Sequence, residues 1–152
     1  MVRLIKKEDI FALKKVLDSI ELFPSEYLED MISDYLNNSN SDDIWFTKVI
    51  DGEAISLGYC SLEKFTNSTY NLLAIGVRKD FQSKSHGKEM VSFIENYLIE
   101  KEKRILIVET SGSAGFDSVR LFYEGLGYNK EAVIRDFWEE GDDKVIYWKK
   151  LN

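Results

Sequence analysis

The chain has 152 residues, 44% hydrophobic and 31% charged, with 27 acidic against 20 basic side chains and a net charge of −7. That length fits a single domain, residues 1–152, with enough core to fold without disulfides or metals, and the lone Cys60 excludes an internal disulfide and a multi-cysteine zinc site. The acidic balance argues against a nucleic-acid partner, which needs a basic footprint, and suits a cationic amine. No apolar run approaches a membrane span and residues 1–9 are too charged for a secretory signal, so no membrane partner is expected and a cytoplasmic location follows by default.

Residues 2–5 read as a short strand. Ile10, Leu13, Leu17 and Ile20 recur at helical spacing, and Leu28, Met31, Ile32, Tyr35 and Leu36 do so again, with Ser25 as N-cap after the only proline, Pro24. Residues 37–43 form a polar loop without the ligand spacing of a calcium site. Residues 44–50 and 54–63 are β-rich and joined by Asp51-Gly52, a strong hairpin signal. Residues 69–77 are a third apolar strand. Met90, Ile94, Tyr97 and Leu98 make the next helical stripe, and residues 104–110 enclose four consecutive apolar residues, the pattern of a strand buried on both faces. Val119, Phe122, Tyr123 and Leu126 form the last helical stripe, with Gly127 as its C-terminal cap. Residues 128–137 and 144–151 make a final hairpin. The order β-α-α-β-β-β-α-β-α-β-β predicts an α/β fold: a mixed, mostly antiparallel sheet flanked by helices. The strand–helix–strand crossover over residues 69–110 makes one parallel strand pair.

The segment between that strand and the following helix carries small residues at Ser83, Ser85 and Gly87, which let the backbone turn tightly. A helix beginning there offers unpaired N–H groups and a positive dipole end, together an anion site suited to a pyrophosphate. Lys84 and Lys88 add local charge. The segment is neither a Walker A loop nor a dinucleotide fingerprint, and a plain helix-initiating loop is the alternative.

Val77 followed by Gln82-Ser83-Lys84-Ser85-His86-Gly87 resembles the acyl-CoA loop of the GNAT superfamily, Q/R-x-x-G-x-G/A after a strand ending in valine. Leu121-Phe122-Tyr123-Glu124-Gly125-Leu126-Gly127-Tyr128 resembles the second family marker, and the element order is similar along nearly the whole chain. Glu109-Thr110-Ser111 and the segment Arg135-Asp136-Phe137-Trp138 look like those of generic bacterial acetyltransferases. The resemblance implies the GNAT fold, with its parallel strand pair at the acyl-CoA site, and acetyl-CoA as co-substrate with no metal. It also implies direct transfer of the acetyl group to the amine of a small molecule or peptide. A non-catalytic acyl-CoA-binding sensor on the same fold is the alternative, and a homodimer is admitted.

Residue by residue, the resemblance makes Tyr123 the general acid, against core packing as its other reading. It gives the backbone of Ile75, Gly76 and Val77 to the thioester and pantetheine arm. The amides of Gln82, Ser83, Lys84, Ser85, His86, Gly87 and Lys88 go to the pyrophosphate. Glu109, closing an apolar strand, is the candidate base, or else a structural acceptor for the loop after it; Glu63 and Asn71 are polar neighbours. Two positions depart from the pattern: Ser85 replaces the first glycine of the loop, and His86, the only histidine, replaces an apolar residue. The amine would bind between the N-terminal helices and the final hairpin, where Phe23, Trp45, Tyr70, Phe137 and Trp138 supply aromatic surface or simply pack the core.

Overall fold

The computed structural model describes residues 1–152, and the hydrophobic periodicities become its elements. Strand β1 (Val2–Leu4) leads through one 3-10 turn into α1 (Ile10–Ser19), and a second 3-10 turn at Ser25–Tyr27 starts α2 (Leu28–Asn37). Strands β2 (Ile44–Ile50), β3 (Glu53–Ala54), β4 (Ser56–Leu62) and β5 (Thr69–Val77) follow. Then come α3 (His86–Glu100), β6 (Ile105–Ser111), α4 (Asp117–Gly125), β7 (Asn129–Glu139) and β8 (Asp142–Lys150). Asp51 and Gly52 both take positive φ, 50° and 79°, the pairing a two-residue hairpin turn requires. Gly127 ends α4 at φ 89°.

The expected strand 54–63 is interrupted at Ile55. Ser56 is the cause: its hydroxyl accepts the Lys48 N–H at 2.8 Å while its carbonyl accepts from the Thr47 hydroxyl at 2.6 Å. A side chain has replaced one rung of the backbone ladder.

The strands form one sheet in the order β1-β2-β4-β5-β6-β8-β7, with β3 added on β2. Every neighbouring pair is antiparallel except β5 and β6, which are parallel and joined by α3. One face packs against α3 and α4 through Phe46, Leu72, Met90, Ile94, Leu106 and Tyr123. The other packs against α1 and α2 through Leu13, Leu17, Leu28, Ile32, Trp45 and Leu57. Each of these side chains stabilises the fold by about 1.5–3 kcal/mol. Cys60 lies wholly buried in the first of these cores, as its apolar run predicts. No helix is long and apolar enough to cross a membrane.

The parallel pair is short. Only Thr69, Tyr70 and Asn71 pair with Ile105, Leu106 and Ile107; beyond that point the two strands part. A bulge in β5 contributes. Cys60 pairs with Leu72 and Tyr59 with Ala74, so Leu73 has no partner on β4, and an extra residue bends its strand. Gly76 lies where the loop after α1 crosses β5 most closely: a Cβ there would stand 2.4 Å from the Ile20 Cδ1.

Candidate active site

Where β5 and β6 diverge, a cavity of about 670 Å³ opens between β5, the loop before α3, and α4, within the range of small-ligand sites. Ile75, Gly76, Val77, Gln82, Ser83, Ser85, His86, Gly87, Lys88 and Tyr123 all line it. Lys84 does not: its ammonium turns back to the Asp80 carbonyl at 3.4 Å and the Phe81 ring at 5.7 Å. Phe81, Ser118, Val119 and Phe122 complete the wall. Val119 and Phe122 share the apolar helical spacing of core residues, so periodicity alone does not separate cavity wall from core.

The loop is built as an anion cradle. The backbone N–H groups of residues 83–88 donate to nothing in the protein. Ser83 and Ser85 take left-handed backbone angles, φ 61° and 66°, and such alternation curls successive amides toward one point. Behind them stands the positive end of α3. The Gln82 amide donates to the Val77 carbonyl at 3.0 Å, tying the loop to the end of β5. Gly87 has room for a side chain as far as the protein is concerned, since a Cβ would stand 3.7 Å from Phe122. Its bareness exposes amides to the cavity.

Tyr123 is 3% exposed and packs against the rings of Phe122, Tyr128 and Tyr147. The ring belongs to the core, and the residue also lines the cavity. The sealed, unpaired side-chain atoms of the molecule are Trp45 Nε1 and Asn71 Oδ1. The Tyr123 hydroxyl is not among them, so it opens to the cavity it lines. Burial pushes its phenol well above the ordinary tyrosine range, which keeps the proton on at neutral pH.

Glu109 stands apart from that wall, two residues past the last β5–β6 rung. Its neighbour Val108 packs in the α3–α4 core, so strand alternation turns Glu109 to the other face of the sheet. There the Asn71 amide donates to Glu63 and to Glu109, each at 2.7 Å, and Lys144 forms an ion pair with Glu109. Burial lowers the pKa of that ammonium, which lies over the Phe137 ring at 3.9 Å. All three polar candidates, Glu63, Asn71 and Glu109, are therefore one cluster. Of the aromatic candidates, Phe137 and Trp138 are about half exposed beside it, whereas Trp45 and Tyr70 are core residues at 0% and 4% exposure. The Trp45 ring stacks on Tyr59 at 4.2 Å, and Phe23 packs on the α1–α2 core.

The fold is shared with solved acetyltransferase structures. A protein of the GNAT family from Desulfovibrio desulfuricans superposes with TM-score 0.91 at 22% identity, over 100% of this chain and 99% of that one. The ribosomal-protein-S18-alanine N-acetyltransferase of Escherichia coli gives 0.80 at 16% identity, over 100% and 94%. An aminoglycoside 6′-N-acetyltransferase complexed with coenzyme A gives 0.73 at 14% identity, over 100% and 97%. A search of curated protein sequences returns no match. The residues present fit a coenzyme A thioester: five cavity-lining residues with free amides for phosphate oxygens, an unpaired strand edge and an apolar wall. The sequence model of the acetyltransferase (GNAT) family matches residues 11–128, a span that includes the parted strands, the amide cradle and Tyr123, and this chain belongs to that family.

Proposed function

We propose that the protein transfers an acetyl group from acetyl-CoA directly to the amine of a small molecule or peptide. The observation that carries this reading is the slot between β5 and β6, with a protonated Tyr123 on one side of the sheet and the Glu109 cluster on the other. An amine approaching from the Glu109 side meets a thioester in the slot, and the sulfur leaves toward Tyr123.

The amine must lose its proton before attack. For an alkyl amine at neutral pH the uncharged form lies about 4–5 kcal/mol uphill, and a carboxylate beside the slot lowers that cost by accepting the proton, directly or through water. Glu109 takes this role. The substrate ammonium exchanges places with Lys144, whose own ammonium is already disfavoured by burial. The Arg78 N–H donates to the Ile55 carbonyl on the β4 side, so alternation turns the N–H groups of Ile75 and Val77 to the unpaired edge of β5, where they stabilise the negative charge that develops on the carbonyl oxygen. Tyr123 donates its hydrogen bond to the departing sulfur. The C–S bond breaks, the amide C–N bond forms, and the products are an N-acetylated amine and free coenzyme A. The free amides of the cavity-lining loop residues and the α3 dipole hold the pyrophosphate and fix the thioester in place.

β7 supports the homodimer reading. It lies at the end of the sheet and exposes Val133 and Ile134.

Thermal unfolding with acetyl-CoA tests the proposal first. At about 100 times its dissociation constant the ligand adds about 2.7 kcal/mol, a rise of about 5–10 °C for a chain of this size. No shift at millimolar acetyl-CoA overturns the reading. A shift followed by no coenzyme A release with any of a broad panel of amines leaves a sensor rather than an enzyme.

A further inference from the structure

His86 is the only histidine in the chain. It opens α3 and is among the residues that line the cavity. Behind it, outside the cavity, stands Lys48 of β2. The Lys48 side chain is 10% exposed, and its Nζ lies 2.7 Å from the His86 Nδ1 and in an ion pair with Glu89. Its backbone is held by Ser56, the residue that interrupts the neighbouring strand.

A buried lysine at the N-terminal end of a helix adds positive charge to an end that is already positive. Glu89, in the first turn of α3, offsets that charge. The arrangement has a definite consequence for the imidazole. An ammonium has donors and no acceptor, so Nδ1 is the acceptor of the Lys48 contact and the ring proton resides on Nε2. The two nitrogens point away from each other around the ring. With Nδ1 turned to Lys48, the Nε2–H is directed away from it, on a residue that lines the cavity together with the unpaired amides of Ser83, Ser85, Gly87 and Lys88.

We infer that Lys48 is a positioning residue for the acyl-CoA loop. It fixes His86 as the Nε2–H tautomer and so adds the ring to the N–H donors of the loop, for a phosphate oxygen of the acyl-CoA substrate. The inference rests on the acyl-CoA reading above. Lys48 itself does not line the cavity and acts through the ring.

Long-range proton–nitrogen spectra of nitrogen-15-labelled protein contain a single imidazole, so the tautomer is read directly on the wild type, without ligand and without a variant. The expected result is an Nε2–H ring whose Nε2 signal moves when coenzyme A is added. Lys48→Met keeps the length of the side chain and removes the donor. It leaves a mixture of tautomers and weakens coenzyme A by about five- to tenfold, the worth of one hydrogen bond to a charged group. Lys48→Arg restores both. In a His86→Phe background, Lys48→Met changes affinity by less than about twofold, because coupled residues lose their effect together. Repeating the titrations with dephospho-coenzyme A locates the contact: an equal loss places it on the pyrophosphate, and a loss confined to coenzyme A places it on the 3′-phosphate. Either supports the inference. An Nδ1–H ring in protein that binds coenzyme A overturns it alone, as does a Lys48→Met loss that is the same with and without His86. An Nε2–H ring in protein that fails to bind coenzyme A overturns the acyl-CoA reading, and the inferred donor role with it.

Discussion

Ser85 invites a substitution whose sign is set by the backbone. It sits at φ 66°, ψ 10° immediately before α3, and its side chain is exposed without a hydrogen bond to the protein. A left-handed conformation costs a non-glycine residue about 1–2 kcal/mol. Glycine removes that strain but gives an unfolded chain freer by about 0.5–1 kcal/mol. The difference makes Ser85→Gly more stable by about 0.5–1 kcal/mol, which at 2–4 °C per kcal/mol is a Tm higher by about 1–4 °C. The amides that face the cavity are untouched, so acetyl-CoA affinity, measured by titration calorimetry, stays within about twofold or improves slightly. Ser85→Val goes the opposite way on both counts, since a β-branched residue is a genuine outlier at positive φ. A lower Tm for Ser85→Gly, or acetyl-CoA bound clearly more weakly, would refute the reasoning and give the serine hydroxyl a positive role toward the phosphates.

Four further outcomes follow from the site and the fold. Tyr123→Phe removes a hydroxyl that no protein group satisfies, so Tm and acetyl-CoA affinity hold while kcat drops by about 10²–10³-fold; an unchanged kcat in a CoA-release assay removes Tyr123 as the acid. Glu109→Gln slows turnover and displaces the acidic limb of the pH–rate profile, and a wild-type profile and rate would end its candidacy as base. Gly87→Ala leaves stability equal or slightly higher, because alanine suits a helix better by about 0.5–1 kcal/mol. The same change weakens acetyl-CoA by about tenfold or more, about 1.4 kcal/mol, as the new methyl covers amides of the cradle. Finally, the Arg3 guanidinium holds the Asp9 carboxyl below the usual carboxylate range through hydrogen bonds of 2.8 and 2.9 Å, helped by the Lys6 N–H at 2.7 Å. A depressed folded pKa contributes stability that is fully present above the unfolded value of about 3.9 and is lost as pH falls through the folded one. Asp9→Asn should therefore cost about 2 kcal/mol at pH 7, and the two Tm curves should converge in strong acid.

The element order was readable because each signal is local. Asp51-Gly52 demands a two-residue turn, Gly127 marks the end of α4, and a helix between two apolar strands forces β5 and β6 parallel. The candidate anion loop was readable because a cradle of backbone amides and small residues is contiguous in the chain. Three things were not. Leu73 carries no mark as the extra residue of a bulge, since the register against β4 is a property of the pair. Alternation puts Trp45 and Tyr70 on a face of the sheet but does not say which faces the helices cover, and both proved to be core. Lys48 is one cation in an apolar strand, and its partner His86 stands 38 positions away. No local pattern reports such a contact.

The parting of β5 and β6 also bears on how the molecule breathes. Three residue pairs, with the Ser68 carbonyl accepting from the Arg104 N–H just before them, stitch the backbone of β1 to β5 onto that of β6 to β8 across the centre of the sheet. Past Asn71 and Ile107 the seam is open, and the amide hydrogens along it are free to exchange with solvent. A molecule bridging the seam supplies the missing rungs, so those amides of residues 72–77 and 108–111 that face the seam, rather than β4 or β8, should exchange slowly only while the slot is filled. On the proposed function the substrate then serves for a moment as part of the sheet, and each product departure reopens the fold along its own midline.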